Sequence, residues 1–361
     1  MTIGDDGLIA AIDAASNQEA DRDFSGLWIV PGFIDIHVHG GGGADFMDAT
    51  PDAVRQVART HARHGTTTLL ATTLTAEREQ IDRCIASVRE VMDSPGPGEA
   101  RIVGIHLEGP YISAAKRGAQ PQAFIRPPDW DEMERWISLS GGAIKLVTIA
   151  PEIDGALDFI RRAAAAGVVV SIGHTSATVK EARAGIDAGA RNATHLFNAM
   201  PPLAHRAPGA AAALLESDDV SVELIADGVH LHPAIAGIVS KIKGPGRIIL
   251  ITDAMAGAAM PDGEYSLGGS PVTVQSGTAS FSDGTLAGSV LTMNQAFHNI
   301  RRFAGTIPSD AAAMTSLNAA RLIGIDVWTG RLEVDFRADL AVIDPQTGAV
   351  EAAMRDGRWL W

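Results

Sequence analysis

Val30-Pro31-Gly32-Phe33-Ile34-Asp35-Ile36-His37-Val38-His39-Gly40, running on into Gly41-Gly42-Gly43, decides how this chain is read. Pro31-Gly32 is a turn, and Phe33 to Val38 is apolar at nearly every second place, so the stretch predicts a buried strand. Residues i and i+2 of a strand share a face, which lets the imidazoles of His37 and His39 reach one ion. The glycines that follow end the strand and allow the backbone to pass close to whatever lies above it. Two neighbouring polar rings in a core strand each need a partner, so a metal accounts for them better than plain burial.

Working outward, the same grammar repeats: an apolar strand, a polar residue at its C-terminal end, then a helical pattern. Eight strands are predicted, at Phe33–His39, Thr66–Thr73, Arg101–Glu108, Ala143–Pro151, Val168–His174, Arg191–Phe197, Val220–Asp227 and Arg247–Asp253. Helical stretches lie between them, among them Asp52–His64, Glu77–Met92, Asp154–Ala166 and Thr178–Ala188. Strand alternating with helix implies a parallel sheet, and eight units imply an α/β fold closed as a (β/α)8 TIM-type barrel with its chemistry at the C-terminal strand ends.

Asp262–Ser282 breaks the pattern and reads as a hairpin-like insertion after the eighth strand. Met293–Phe303 and Ser309–Leu322 read as helices. The two ends of the chain are short and β-rich, joined on the N-terminal side by a polar connector, Asn17–Asp23. They are expected to pair as a small β-sandwich domain, residues 1–30 and 331–361, beside a barrel domain of residues 31–330.

Composition narrows the function. A formal net charge of −14 argues against nucleic acid as partner, because phosphate backbones require a basic surface. No apolar run approaches the ~18 residues of a membrane helix, and Met1-Thr2-Ile3-Gly4-Asp5-Asp6 lacks the basic and apolar regions of an export signal. The single cysteine, Cys84, sits in a helical pattern and suits a reducing cytoplasm.

The polar residues at the strand ends are the functional candidates. Strand one ends in His37 and His39, strand three in His106-Leu107-Glu108-Gly109-Pro110 and strand five in Gly173-His174-Thr175. Strand six ends in Thr194-His195-Leu196-Phe197-Asn198-Ala199-Met200, strand seven in Asp227-Gly228-Val229-His230 and strand eight in Thr252-Asp253-Ala254. Nitrogen and carboxylate donors on one rim suit Zn²⁺ and comparable divalent ions. His61, His64, His205, His232 and His298 lie off that rim in the sequence pattern and carry no functional reading.

These motifs resemble the amidohydrolase superfamily, and His106-Leu107-Glu108-Gly109-Pro110-Tyr111 narrows the resemblance to its N-acetylglucosamine-6-phosphate deacetylase family. The resemblance runs from about Pro31 to the end of the chain. It implies a metal-dependent barrel with a small β-sandwich from both termini, commonly dimeric. By the same resemblance Glu108, His174 and His195 bind metal and Asp253 is catalytic. His37 and His39 match a second metal site that some members keep, which implies one or two divalent ions per chain, with Zn²⁺ expected. Substrate contacts map onto Asn198, Ala199, Arg206 and His230, and onto Leu286-Ala287-Gly288 in the sugar pocket. The arginine at the place of Arg206 reaches the neighbouring subunit's site, so the resemblance implies a homodimer. In Arg117-Gly118-Ala119-Gln120 the chain has Gln120 where the family often has histidine; Ala119 and Gln120 are retained as substrate-side candidates, although Gln120 carries no charge.

The chemistry follows from the residues themselves. An amide is a poor electrophile and water a poor nucleophile; a metal lowers the pKa of bound water from ~15.7 towards ~7 and polarises the carbonyl. Asp253 can take the water's proton and pass it to the leaving amine. His230 can bond the carbonyl oxygen or the sugar, and Arg206 has the forked donors that fit a phosphate. The implied reaction is hydrolysis of the acetamido group of N-acetylglucosamine 6-phosphate to glucosamine 6-phosphate and acetate. Two other readings stand beside it. One is a cyclic amidase of the dihydroorotase or hydantoinase kind, which usually keeps a carboxylated lysine where Glu108 stands. The other is a barrel that binds sugar phosphate without turnover, which would have no need of Asp253.

Overall fold

Eight short parallel strands carry the barrel in a computed structural model that describes residues 1–13 and 20–361; residues 14–19, including the start of the polar connector expected at Asn17–Asp23, lie outside that description. The strands are Phe33–Asp35, Thr66–Thr73, Arg101–Glu108, Ile144–Ile149, Val169–Ile172, Asn192–Ala193, Ser221–Ile225 and Ile248–Ile251. They pair in sequence order, every neighbour parallel. The gap between the last and the first is bridged by one side-chain and one backbone bond: Thr252 Oγ1 donates to Asp35 Oδ2 at 2.5 Å, and Asp253 N–H donates to His37 O at 2.8 Å.

Several strands stop short of their expected ends. The first ends at Asp35 rather than His39, because the chain beyond it bonds irregularly to both neighbours: Thr72 N–H donates to Val38 O, and His39 N–H to Ala254 O. His37, His39, His174, His195 and Asp253 therefore sit on the segments just past the strands rather than on them. Freed from the ladder, a backbone can take the turns that aim side chains at one point.

The surrounding helices begin where their sequences supply caps. Thr50 caps Pro51–Ala62 through the N–H of Ala53, with proline in the first turn. Thr178 and Glu181 form a reciprocal capping box for Val179–Ala188. Each helix turns one apolar stripe inward; Val54, Val57 and Ala58 of the first, and Ile81, Ile85 and Val88 of Arg78–Asp93, are fully buried. The single helix expected at Ser309–Leu322 is instead Pro308–Ala312, a π-helical turn Ala313–Leu317, and Asn318–Leu322. The wider turn sets Ser316 Oγ on Gly32 O at 3.0 Å and Asn318 Nδ2 on Ile248 O at 2.7 Å, tying it to the starts of the first and last strands.

The insertion after strand eight is a three-stranded antiparallel sheet, Gly263–Leu267, Ser270–Gln275 and Thr278–Ser280, one strand more than the expected hairpin. The termini form a separate four-stranded antiparallel sheet from Trp28–Pro31, Leu340–Ile343, Val350–Arg355 and Arg358–Trp359. Thr2–Ile3 and Ile9–Ala11 pair across its face, with Ile9, Leu340, Val342 and Met354 in a small second core. Both cores are apolar, but the inside of the barrel below its mouth is not, and that is where the candidate site begins.

Candidate active site

Strand three places Glu108 at its last residue, and four imidazoles close around it. Glu108 Oε1 lies 3.3 Å from His37 Nε2, 3.1 Å from His174 Nε2 and 3.0 Å from His195 Nε2; Oε2 lies 3.2 Å from His39 Nε2. Asp253 Oδ1 stands 3.1 Å from His39 Nε2 and 3.5 Å from His37 Nε2. All six groups are buried. Two three-residue clusters, His37 with His39 and Glu108, and Glu108 with His174 and His195, thus share one carboxylate.

Backbone geometry aims these side chains. His174, His195 and Asp253 have φ of 46°, 26° and 50°, a left-handed conformation that costs a non-glycine residue about 1–3 kcal/mol. Gly288 makes room for Asp253: a Cβ there would meet the Asp253 carbonyl oxygen at 2.9 Å.

Electrostatics of the cluster points to a cation. Burial disfavours charge on both partners, yet Asp253 and Glu108 outweigh it at His39 and raise that imidazole to about 9. His37 and His39 likewise overcome burial at Asp253 and pull it down to about 2. Glu108 is held well below the usual carboxylate range against its burial, by His37 and His174. Without a metal, protons hold these imidazoles and carboxylates together; a divalent ion replaces those protons, which is how metal affinity couples to pH.

The donors fit such an ion. They are nitrogen and oxygen only, and within each cluster they lie within 4.8 Å of one another. His37 Nε2 is fully buried with no hydrogen-bond partner, an orphan atom aimed into the centre. The other ring nitrogens are turned outward: His37 Nδ1 meets Glu223 Oε2 at 3.0 Å, His39 Nδ1 meets Thr72 O at 3.3 Å, and His174 Nδ1 meets Lys116 O at 3.0 Å.

A cavity of about 270 Å³ opens above the cluster. His39, Glu108, His174, His195 and Asp253 form its floor. Ala119, Gln120, Asn198, Ala199 and His230 line it, as do Leu286 and Gly288. His230 is oriented by Asp227, whose Oδ2 accepts from Nδ1 at 2.7 Å; that carboxylate overcomes burial and raises the imidazole above its ordinary pKa.

Some sequence expectations end elsewhere. Ala287 is fully buried in the core and does not line the cavity, whereas its neighbours Leu286 and Gly288 do. Gln120 lines the cavity, but its amide is engaged at both ends: Oε1 accepts from Thr75 N–H and Nε2 donates to Glu108 Oε2, each at 2.7 Å. Arg206 is exposed within residues 202–207, an exposed run, and does not line the cavity of its own chain. His61, given no role in sequence, donates from Nε2 to Gly40 O at 2.8 Å and so pins the loop beside His39. Asp35 and Glu223, also unassigned in sequence, contact His37 from behind; the available signal was a carboxylate in an otherwise apolar strand.

Comparison with known proteins gives a consistent picture. The model of the amidohydrolase family matches residues 28–360. The chain is 42% identical over 317 residues to the N-acetylglucosamine-6-phosphate deacetylase of Bacillus subtilis (strain 168), covering 87% of this chain and 80% of that protein. It is 39% identical over 339 residues to the N-acetylgalactosamine-6-phosphate deacetylase of Escherichia coli O157:H7, covering 94% and 89%. The crystal structure of N-acetyl-D-glucosamine-6-phosphate deacetylase from Mycobacterium smegmatis superposes with a TM-score of 0.93 at 41% identity, covering 100% of this chain and 94% of the other.

Proposed function

The chain belongs to the amidohydrolase family, and from that premise we propose that it hydrolyses the acetamido group of N-acetylglucosamine 6-phosphate, giving glucosamine 6-phosphate and acetate. The observation that carries the reading is the convergence of four imidazoles and Asp253 on Glu108 at the floor of the cavity. Relatives named for deacetylation of hexosamine 6-phosphates favour this over a cyclic amidase or a binder without turnover.

The family is metal-dependent. Glu108, His174 and His195 would hold one divalent ion, and His37 and His39, with Glu108 beside them, would hold a second where two are bound. Zn²⁺ is the ion assigned, on the strength of donors that are nitrogen and carboxylate without sulfur. Bound there, it supplies Lewis-acid polarisation of the amide and an acidified water.

The chain's own groups do the rest. Asp253, ionised at neutral pH, takes a proton from the attacking water as its oxygen bonds to the acetyl carbon. The same carboxyl returns the proton to the nitrogen as the C–N bond breaks, so acetate and a free amine leave. His230, fixed through Nδ1 by Asp227, keeps Nε2 for the acetyl oxygen or a sugar hydroxyl. Asn198, Ala199, Leu286 and Gly288 shape the sugar's place. Arg206 grips the 6-phosphate across a homodimer interface, since its exposed segment is free to extend to a second copy. No helix among the described residues is long and apolar enough to cross a membrane, and we assign the reaction to the cytoplasm on the single thiol of Cys84.

The test is acetate release from N-acetylglucosamine 6-phosphate, N-acetylgalactosamine 6-phosphate and N-acetylglucosamine. Hydrolysis of the first above both others is expected. A preference for the galacto sugar overturns the assigned epimer, and activity on none of them overturns the reading.

A further inference from the structure

Behind the ligand cluster, on the side away from the cavity, lies a fully buried carboxylate that the chemistry above leaves unused. Glu223 sits in the middle of the seventh strand, between Val222 and Leu224. Its Oε2 accepts two bonds, from His37 Nδ1 at 3.0 Å and from the backbone N–H of His195 at 3.1 Å. Its Oε1 accepts from Asn192 Nδ2 at 2.6 Å, and the same amide nitrogen donates to Ser171 Oγ at 3.1 Å. One oxygen therefore holds a member of each three-residue cluster.

We propose that Glu223 is a positioning residue that locks His37 with its proton on Nδ1 and ties the two halves of the metal centre together. The inference rests on the reading of His37 and His195 as metal ligands. A carboxylate only accepts, so the Nδ1 facing it must carry the hydrogen, and Nε2 is then the nitrogen that offers a lone pair once the ring is neutral. That lone pair belongs to the buried, unpartnered Nε2 that faces Glu108 and Asp253.

His37 differs from the other three in this respect. The back nitrogens of His39 and His174 meet neutral carbonyls, and His195 Nδ1 has no partner. An anionic partner makes the imidazole a stronger donor to a metal than a carbonyl does. The bond to His195 N–H also restrains a residue whose φ of 26° needs support from its surroundings.

The test compares Glu223→Gln and Glu223→Leu with wild type by Zn²⁺ affinity, measured against a competing chelator, and by the imidazole ¹⁵N spectrum of metal-free protein titrated to alkaline pH until the His37 ring is neutral. Loss of such a partner typically weakens metal binding 10- to 100-fold. Gln, which keeps a neutral acceptor, is expected near the lower figure and Leu near the upper. The His37 signal should shift from Nδ1–H alone towards a mixture of tautomers. Folded variants with wild-type affinity and tautomer overturn the proposal, and so does a loss of stability that leaves both unchanged. If the Leu variant does not fold, the Gln variant decides on the same two readouts. Wild-type protein that binds no Zn²⁺ overturns the metal reading itself, whereas Zn²⁺ bound equally by all three overturns only the role of Glu223.

Discussion

The carboxylate of Asp253 stands 3.1 Å from the Nε2 of His39, on the floor of the cavity. From there it can reach both a water over the ligand cluster and a nitrogen in the cavity. Asp253→Asn keeps the shape but removes the basic lone pair. A loss of about 10²–10⁴-fold in kcat is expected while substrate still binds, the usual contribution of general acid–base catalysis. Metal content, substrate affinity and kcat on one preparation check it. A variant that turns over at near wild-type rate sinks the assignment, and one whose rate returns on adding metal makes Asp253 a ligand instead.

Glu108 touches both clusters, so Glu108→Gln should empty both, whereas His39→Ala should remove only the ion nearer the first strand. Elemental analysis of the purified variants reads this directly. Chelation of the wild type should abolish hydrolysis and added Zn²⁺ should restore it; equal metal content in all three proteins would contradict the shared-carboxylate arrangement.

Arg206 makes no contribution to the cavity of its own chain. If it binds phosphate across a dimer, Arg206→Ala should cost on the order of 2–3 kcal/mol, or roughly 30- to 150-fold in KM, for the phosphorylated sugar. The unphosphorylated sugar should be nearly unaffected. Mixing Arg206→Ala with Asp253→Asn subunits should regenerate some sites with both residues intact; no gain in activity on mixing would place the arginine within its own subunit.

His61 titrates far from its ordinary value. Burial lowers its pKa from 6.5 to about 4, so the unfolded chain binds the proton first as pH falls. Its contribution to stability is complete above pH 6.5 and is lost as pH drops towards 4, a swing of roughly 3 kcal/mol. Asp35, pushed up to about 7 chiefly by burial, works in the opposite sense, so the whole-protein profile mixes the two. The difference between wild type and His61→Gln in denaturant unfolding at pH 7 and pH 5 isolates the histidine: the variant should lose less stability on acidification. Parallel behaviour of the two proteins would refute it.

The sequence by itself determined the barrel and its reacting rim. Eight apolar runs, each ending in a polar residue and followed by a helical pattern, are local signals, and a parallel barrel is the one closed arrangement that buries them all. Glu108, His174, His195 and Asp253 were legible because each stands at or just past the end of an apolar run, and run ends of one polarity share a rim. Tertiary structure alone decided what stands behind that rim. Glu223 reads in sequence as one charge in an apolar strand, and it touches His37 only because barrel closure leaves strands one and seven separated by strand eight alone, so both side chains meet in the interior. Gln120 turned to Glu108 for the same kind of reason, since a buried amide must satisfy both its ends and the nearest acceptor came from another strand. Periodicity along a chain records which face a residue takes; the partner it meets there depends on how distant segments close against one another.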